Sequence, residues 1–335
     1  MSDTNINVVN IIKEVFDNNQ PSDIHIGSGK CVSIRVNGEM ALTESSILDE
    51  ASIWNFVSKK LTEEEIIQFN KNGSIDFALV LGDLRFRANA YKTLHGTFCA
   101  LRIIPMHIPD FKVLGIPNTV IELCSEKSGL ILVTGPTGSG KSTTLAMIVD
   151  QINQRYPHTV ITIEDPIEFL HKDKRSIISQ RQIGQHVPDF ATGLRASLRE
   201  DPDVILLGEL RDLETISLAL TAAETGHLVL ATLHTSSASS TMSRIIDVFP
   251  AGQQDQVRTQ VAEALNAVVS QRLIRDPKGE SRNGAFEIMI NNNPIANLIR
   301  ENKLFQINSV IQTNAALGMI TMDASIDKLK AAGKA

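Results

Sequence analysis

Three acids, Glu164, Asp165 and Glu168, surround one proline in the stretch TIEDPIEF, directly after an apolar run that predicts a buried strand. Carboxylates this close repel one another unless a cation or a proton balances them. The stretch could therefore hold a metal or move a proton. Alternatively, Glu164 and Asp165 cap the strand and Glu168 is a solvated loop acid. Taken alone, three acids favour this second interpretation.

The segment GPTGSGKS, residues 135 to 142, changes that balance because it matches the phosphate-binding pattern GxxxxGK[ST]. A strand pattern, GLILVT, precedes it and a helix pattern, TTLAMIVDQI, follows it, as the motif requires. Its backbone N–H groups and the helix N-terminus favour a bound phosphate. The expected nucleotide-binding residues are Gly135, Pro136, Thr137, Gly138, Ser139, Gly140, Lys141, Ser142 and Thr143. Lys141 should reach the β- and γ-phosphates, with the Ser142 hydroxyl on Mg²⁺.

A second strand-end acid supports the same chemistry. The apolar strand pattern DVILLGE ends at Glu209, which would hold Mg²⁺ through water. A purely structural acid is the alternative. Ligands of a doubly wound sheet bind at the carboxyl ends of the strands, where Gly135, Asp165, Glu209 and His234 would gather. A metal–triphosphate there would offset the repulsion among the three acids, and one of them could polarise the attacking water.

Two histidines bound the strand pattern HLVLATLH. Seven strand residues span roughly 23 Å, so His227 and His234 cannot both contact one γ-phosphate. His234, at the carboxyl end, is the candidate sensor of that phosphate. We expect His227 to satisfy backbone groups at the opposite edge.

A hairpin in the N-terminal part offers another geometric prediction. If FRANAY and FCALRI pair around a turn between Leu94 and His95, Arg87 and Arg102 lie directly opposite each other. Like charges paired across strands cost energy unless an anion lies between them. A γ-phosphate from a neighbouring subunit would make these residues arginine fingers. Solvated side chains or local carboxylate partners are the alternative.

The pattern of elements that must position these residues predicts two domains. Residues 1–104 combine short strands with amphipathic helices, and 105–117, with three prolines and one glycine, form an interdomain linker. From 118 to 335, helices separate the apolar strands GLILVTG, TVITIED, DVILLGE, HLVLATL and AFEIMI. Such continuous apolar strands predict an α/β fold with a parallel sheet buried on both faces.

Composition excludes several classes of protein. The net charge is −6 and no basic run interleaves with aromatic residues, which argues against nucleic acid as the main partner. Apolar runs are far too short to span a bilayer, and the first residues lack the pattern of a secretory signal. The three cysteines are widely spaced and form no CxxC pair, so we expect a reduced, cytoplasmic protein without a zinc site.

These segments together resemble the type IV pilus retraction (twitching motility) ATPases, in the secretion-ATPase branch of the RecA-like P-loop proteins. The resemblance covers nearly the whole chain, and its long central block is far more specific than a phosphate loop alone. The segments that carry it are SDIHI, RFRANA, GPTGSGKSTT, TIEDPIEF, SLREDPDVILLGELRDLETISLALTAAETGHL, ATLHTSSA, IIDVFPA and NLIRE.

The resemblance implies a RecA-like ATPase domain preceded by a smaller PAS-like α+β domain, assembled as a homo-hexameric ring. It implies ATP and Mg²⁺ as ligands and pilus disassembly as the work. The partner would be an inner-membrane platform protein, with the motor at the cytoplasmic side of the pilus base. A second motor ATPase is a further possible partner.

The resemblance also distributes roles among the site residues. It supports Lys141, Ser142, Glu209 and His234 in the roles given above. It matches Arg87 and Arg102 to arginines that reach ATP across domains. Within the acidic stretch, the family's catalytic glutamate matches Glu168, while Glu164 and Asp165 would support the metal shell and its waters.

Two departures from the family leave the position of this chain within it open. The family usually carries Ala-Ile-Arg before NLIRE, and here Ala296 stands at the arginine. His95 also stands where many relatives carry an extra arginine. Neither position belongs to the hydrolytic site, so both a main retraction motor and an accessory paralogue remain open.

Other functions are less well supported by the sequence. An assembly or secretion motor of the same superfamily typically carries an extra N-terminal domain and a tetracysteine zinc site, neither of which is visible here. A nucleic-acid translocase conflicts with the acidic balance. A non-hydrolysing regulatory subunit conflicts with the presence of every expected catalytic residue.

Overall fold

The computed structural model describes residues 7–36, 38–104, 108–112, 114–279 and 281–335. The chain divides into two units, Met1–Met106 and His107–Ala335, called here the N-terminal and C-terminal units. Residues 105–107 and 113 of the predicted linker lie outside the described residues. So does Asn37, where the pair Asn37–Gly38 predicts a turn between two short strands. No helix in the described ranges is long and apolar enough to cross a membrane.

The N-terminal unit is built on an antiparallel sheet of six strands. Their order is β3-β2-β1-β6-β5-β4, and every neighbouring pair is antiparallel. The strands are β1 (Asp23–Gly27), β2 (Ser33–Val36), β3 (Glu39–Leu42), β4 (Ser74–Leu81), β5 (Leu84–Thr93) and β6 (Gly96–Ile104). Alternating burial along β4 shows that one face of the sheet covers a core.

Three helices bury that face. They are α1 (Val8–Asn19), α2 (Glu50–Ser58) and α3 (Glu63–Asn72). Val8, Ile12 and Val15 recur at helical spacing and are buried, as the sequence pattern predicts. A capping box between Thr62 and Glu65 fixes the start of α3. The mixed helical and antiparallel architecture of this unit is therefore confirmed.

The C-terminal unit contains a sheet of seven strands in the order β13-β12-β7-β11-β10-β8-β9. The strands are β7 (Gly129–Thr134), β8 (Thr159–Glu164), β9 (Ile177–Gln182), β10 (Val204–Leu207), β11 (Leu228–Leu233), β12 (Leu265–Arg275) and β13 (Arg282–Ile290). Leu130 and Leu132 pack into one core cluster, whereas Ile131 and Val133 pack into another. The predicted α/β fold, with a parallel sheet buried on both faces, is confirmed.

The prediction of the sheet was wrong in three details. AFEIMI belongs to β13, which pairs antiparallel with β12 rather than parallel. The strands β9 and β12 were not predicted. β9 is a polar edge strand, IISQRQ, and β12 follows a helix with no turn signal between them, so neither resembles an isolated apolar run.

Helices on both sides of the sheet complete the C-terminal unit. They are α4 (Asn118–Glu122), α5 (Lys141–Arg155), α6 (Phe190–Ser197), α7 (Leu213–Glu224), α8 (Ala238–Asp247), α9 (Gln254–Ala264), α10 (Asn293–Arg300), α11 (Ile307–Thr313) and α12 (Met322–Ala331). Short 3₁₀ turns occur at Leu123–Ser125, Ala251–Gln253, Leu304–Gln306 and Ala315–Leu317.

A buried carboxylate on β13 joins two helix starts. Glu287 is only 7% exposed. One of its oxygens accepts from the backbone N–H of Ala238 at 2.7 Å, and the other accepts from that of Met322 at 3.4 Å. These residues begin α8 and α12, where unpaired N–H groups favour a negative charge. Glu287 therefore caps two helices that are far apart in sequence.

Candidate functional site

A cavity of about 210 Å³ lies where the parallel strands β7, β8, β10 and β11 end. Ligands of such sheets bind at this edge. The polar residues that line the cavity are Thr137, Lys141, Ser142, Glu164, Asp165, Glu168, His171, Glu209, Arg211, Thr232 and His234. Asp165, Glu209 and His234 therefore line one cavity, as expected, whereas Gly135 does not. Of the other predicted nucleotide-binding residues, Thr137, Gly138, Lys141 and Ser142 line the cavity, and Pro136, Ser139, Gly140 and Thr143 do not.

The phosphate loop connects β7 to α5 through a backbone that glycine makes possible. Gly135 and Gly140 have φ values of 145° and 89°. A Cβ atom at Gly135 would overlap the carbonyl oxygen of Gln271 and the hydroxyl of Ser139. Gly140 precedes α5 and offers no side-chain cap to its first N–H groups. Those N–H groups are available to an anion, as the sequence pattern predicts.

Lys141 supplies the cation of this loop. It is 9% exposed, and its ammonium group donates to the carbonyl oxygens of Gly135 at 2.9 Å and Pro136 at 3.1 Å. Burial lowers the pKa of Lys141, and the charges of Glu209 and Glu168 act in the opposite direction. Both of these hydrogen-bond partners are neutral carbonyl oxygens, and the acids that favour the charged form of Lys141 act on it through their charge. A nucleotide phosphate fits this environment because it brings negative charge to the half-enclosed ammonium group.

Glu209 lies two residues after the end of β10, between two basic side chains. One oxygen of Glu209 accepts from both Nε and Nη2 of Arg211 at 2.8 Å, and the other lies 3.4 Å from Nε2 of His234. Hydrogen bonds between ionised groups of this kind are stronger than those between neutral groups. Arg211 was not predicted as a site residue. Its position two residues after a strand-end acid was the available signal, because alternate residues project to the same side of an extended chain.

The three acids of TIEDPIEF occupy different environments. The Glu164 carboxylate accepts from the hydroxyl of Thr162 at 2.7 Å and from the side-chain amide of Gln180 at 3.2 Å. Burial raises the pKa of Glu164, and the nearby charge of Glu168 adds to the rise. Glu168 is exposed and lines the cavity. The raised pKa favours the neutral form of Glu164, which reduces the repulsion among the three acids.

Magnesium is the metal that the sequence predicts, with Ser142 and Glu209 as its protein contacts. Both residues line the cavity. Within the described ranges, no group of three or more His, Cys, Asp or Glu side chains could hold a metal ion. One hydroxyl and one carboxylate nevertheless suit Mg²⁺, which retains waters and takes its other ligands from substrate phosphates.

The two histidines that bound β11 lie at opposite ends of that strand and have different surroundings. His227, at the start of β11, places its ring Nδ1 3.0 Å from the carbonyl oxygen of Ala222, which confirms its predicted backbone contact. His234, at the other end of β11, lines the cavity. His171 also lines the cavity and was not predicted. Burial lowers the pKa of His171 to about 4, so this imidazole is neutral near pH 7.

The arginine pair of the N-terminal unit has the predicted register. Arg87 on β5 lies opposite Arg102 on β6, and the hairpin closes between Thr93 and Gly96. Arg102 also pairs with Asp23 on β1, with Nε 2.8 Å from the carboxylate. No carboxylate in the described part of the chain pairs with Arg87. A local carboxylate therefore offsets part of the repulsion, and the finger role stays a prediction.

The two departures from the family pattern lie in different surroundings. Ala296 on α10 is 8% exposed and belongs to the core of the C-terminal unit. A longer side chain there would need room within that core. His95 is exposed at the tip of the β5–β6 hairpin. Neither residue lines the cavity.

Comparison with known proteins places this chain among relatives of similar length. The profile of the family "Type II/IV secretion system protein" matches residues 3–317. A twitching motility protein of Neisseria gonorrhoeae is 47% identical, over 88% of this chain and 79% of that protein. The type IV pilus retraction ATPase PilT of Pseudomonas aeruginosa is 44% identical, over 93% of this chain and 91% of that protein.

A solved structure shows the same fold. The crystal structure of the pilus retraction motor PilT with bound ADP matches this chain with a TM-score of 0.91 at 45% identity. The match covers 98% of this chain and 94% of that chain. The described fold is therefore the fold of a nucleotide-binding relative across almost its entire length.

The environment of Glu164 predicts a pH-dependent stability. The pKa of Glu164 is raised in the folded protein. Its favourable contribution to the free energy of unfolding is therefore complete below the pKa of the unfolded chain, about 4.3, and is lost as the pH rises through the pKa of the folded protein. Glutamine cannot ionise, so E164Q should gain stability relative to the wild type between about pH 5 and about pH 8. Urea denaturation at both pH values measures this difference.

The matched control for that experiment is E122Q, which makes the same change at an exposed position on α4. Its stability relative to the wild type should not vary with pH in the same way. A constant difference between E164Q and the wild type across this range would show that Glu164 is not desolvated.

Proposed function

This chain belongs to the type II/IV secretion system protein family, and we propose that it is a motor that hydrolyses ATP to retract type IV pili. The observation that carries the proposal is the cavity in which Lys141, Glu168, Glu209 and His234 meet beside the phosphate loop. The chain that holds this cavity aligns over 93% of its length with a pilus retraction ATPase.

Lys141, Glu168 and His234 each have a part in hydrolysis that their surroundings support. Lys141 and the N–H groups at the start of α5 bind the phosphates and offset the charge that develops on them. Glu168, exposed in the cavity, accepts a proton from the attacking water at its carboxylate. Glu164 is engaged by Thr162 and Gln180, which leaves it less free for that role. His234, held 3.4 Å from Glu209, senses the γ-phosphate.

Magnesium would be held by Ser142 and, through water, by Glu209. When bound, the ion neutralises phosphate charge and orients the phosphate chain. Arg211, which hydrogen-bonds to Glu209, fixes that carboxylate at the end of β10. Asp165 would contact the waters of the metal.

We further propose that the chain acts as a homo-hexamer in which Arg87 and Arg102 reach ATP bound to a neighbouring subunit. The support is their direct pairing on β5 and β6, which leaves more positive than negative charge at that point of the sheet. A phosphate would balance the excess. The ring would work at the cytoplasmic face of the inner membrane.

The proposed work is pulling on a pilus through an inner-membrane platform protein. The segment 294–330, which covers α11 and nearly all of α10 and α12, is the candidate surface for that protein. Its charged residues Arg300, Glu301 and Lys303 are exposed. The alanine at 296 separates this chain from the usual retraction pattern. We therefore expect either a reduced retraction force or cooperation with a second motor ATPase.

Substitutions within the cavity should separate binding from hydrolysis. K141A should lose both nucleotide affinity and turnover, because it removes the buried cation. E168Q should bind ATP about as well as the wild type and hydrolyse it roughly 100-fold more slowly or worse, since only proton transfer is lost. Nucleotide binding and phosphate release are measured side by side. If E164Q accumulates bound ATP while E168Q hydrolyses normally, Glu164 is the base.

The arginine proposal is tested by mixing subunits. R102A alone should be inactive, but rings that mix R102A with K141A should recover some turnover at interfaces that combine an intact loop with an intact finger. The control is the double variant R102A/D23N, because loss of Arg102 leaves the Asp23 carboxylate without its partner. The double variant should fold stably and stay inactive. Mixed rings without any recovery would contradict action between subunits.

The direction of work is tested in the host by deleting the gene and imaging pili in live cells. Retraction predicts pili that extend, accumulate and fail to shorten, with twitching lost. A variant strain carrying K141A should match the deletion. Cells without pili would show instead that this motor assembles them, and normal retraction would point to an accessory role.

A further inference from the structure

A glutamine on β12 lies beneath the phosphate loop. Gln271 is 3% exposed. The residue before it, Ser270, pairs with Thr134 at the end of β7, so Gln271 lies beside the point where the loop begins. The close approach at Gly135, where a Cβ would overlap the carbonyl oxygen of Gln271, shows the same proximity. Gln271 therefore contacts the loop from the neighbouring strand. It follows every predicted site residue in the chain.

Both ends of the Gln271 side chain are engaged by the phosphate-binding segment. Its Nε2 donates a hydrogen bond to the carbonyl oxygen of Ser139. Its Oε1 accepts from the hydroxyl of Thr144, in the first turn of α5, at 2.8 Å. Thr144 is 2% exposed, so this contact is also buried. The amide thus bridges the last residues of the loop and the helix that follows.

The orientation of the amide is determined by its two partners. A carbonyl oxygen can only accept, so the NH₂ group must face Ser139. The remaining oxygen then faces Thr144, whose hydroxyl can donate. Breaking either contact would leave buried polar groups without partners, which costs more than the hydrogen bond itself contributes.

Fixing the carbonyl of Ser139 also fixes the next N–H. The peptide between Ser139 and Gly140 is planar and trans, so its C=O and N–H point in opposite directions. With the carbonyl held toward β12, the N–H of Gly140 is directed away from β12. The residues on either side of this peptide, Gly138 and Lys141, line the cavity. Gly140, at a φ of 89°, has the backbone freedom to rotate this peptide if nothing holds it.

We propose that Gln271 is a positioning residue of the nucleotide site, whose side-chain amide holds the Ser139–Gly140 peptide so that the Gly140 N–H donates to the phosphates of a nucleoside di- or triphosphate. The inference rests on the proposed function only in requiring that such a nucleotide binds. The bond to phosphate exists in both the ground state and the transition state. Loss of Gln271 should therefore weaken binding without slowing the chemical step.

The test is the steady-state kinetics and ADP affinity of Q271M, which keeps the side-chain length and removes both hydrogen bonds. We expect about a tenfold rise in the KM for ATP and in the Kd for ADP, with kcat within about twofold of the wild type. Q271E should bind ADP more weakly than Q271M at about pH 8, because its carboxylate would face the carbonyl oxygen of Ser139. The control is Q253M, the same change at an exposed position.

A second variant keeps the inference testable if Q271M folds poorly. T144V retains Gln271 and removes only the hydroxyl that orients its amide, so it should raise KM in the same direction. T144S, which keeps the hydroxyl, should lie closer to the wild type than T144V. In the double variant T144V/Q271M, the two effects should be less than additive, because both act through one amide.

The outcomes separate this inference from the function on which it rests. A wild-type protein that fails to bind ADP would overturn the proposed function. Normal ADP binding by the wild type, Q271M and T144V alike would overturn only the role of Gln271. A fall in kcat with unchanged KM would also overturn it, since a purely structural role reduces the active fraction rather than the affinity.

Discussion

Parallel pairing of four strands is the constraint on which the rest of this protein depends. The register of β7, β11, β10 and β8 brings their carboxyl ends to one edge of the sheet. Residues as distant in sequence as Lys141 and His234 thereby line one cavity. Because both faces of the sheet are buried, the strands cannot slip without exposing one of two apolar cores. Hydrophobic packing thus fixes the positions of polar residues that contribute little to stability themselves.

Charge balance is the second requirement of this edge, and several separate contacts contribute to it. Arg211 and His234 flank Glu209, while burial raises the pKa of Glu164 and so favours its neutral form. Lys141 is left with carbonyl oxygens as its hydrogen-bond partners. Its positive charge lies at the loop, where a phosphate chain would add negative charge, and Asp165 and Glu168 line the same cavity.

The sequence alone predicted the parts of the structure that follow local rules. Short apolar runs, the phosphate-loop pattern and the Arg87–Arg102 register each depend on residues close together in the chain. It did not predict β12, whose start continues directly from α9, or the antiparallel direction of β13. It also missed Arg211 and Gln271. A glutamine acquires its importance only through a strand neighbour more than a hundred residues away, and no local pattern records that pairing.

The carboxylate of Glu287 connects α8, in the middle of the C-terminal unit, to the last helix of the chain. Its contacts begin α8, four residues after His234, and α12, the last helix of the chain. A shift of the chain around His234 must either carry α12 with it or leave a buried charge with one partner fewer. One side chain of β13 connects the start of α8 to the start of α12. A displacement at the cavity and a displacement of the C-terminal helix are therefore coupled through one buried side chain of the sheet.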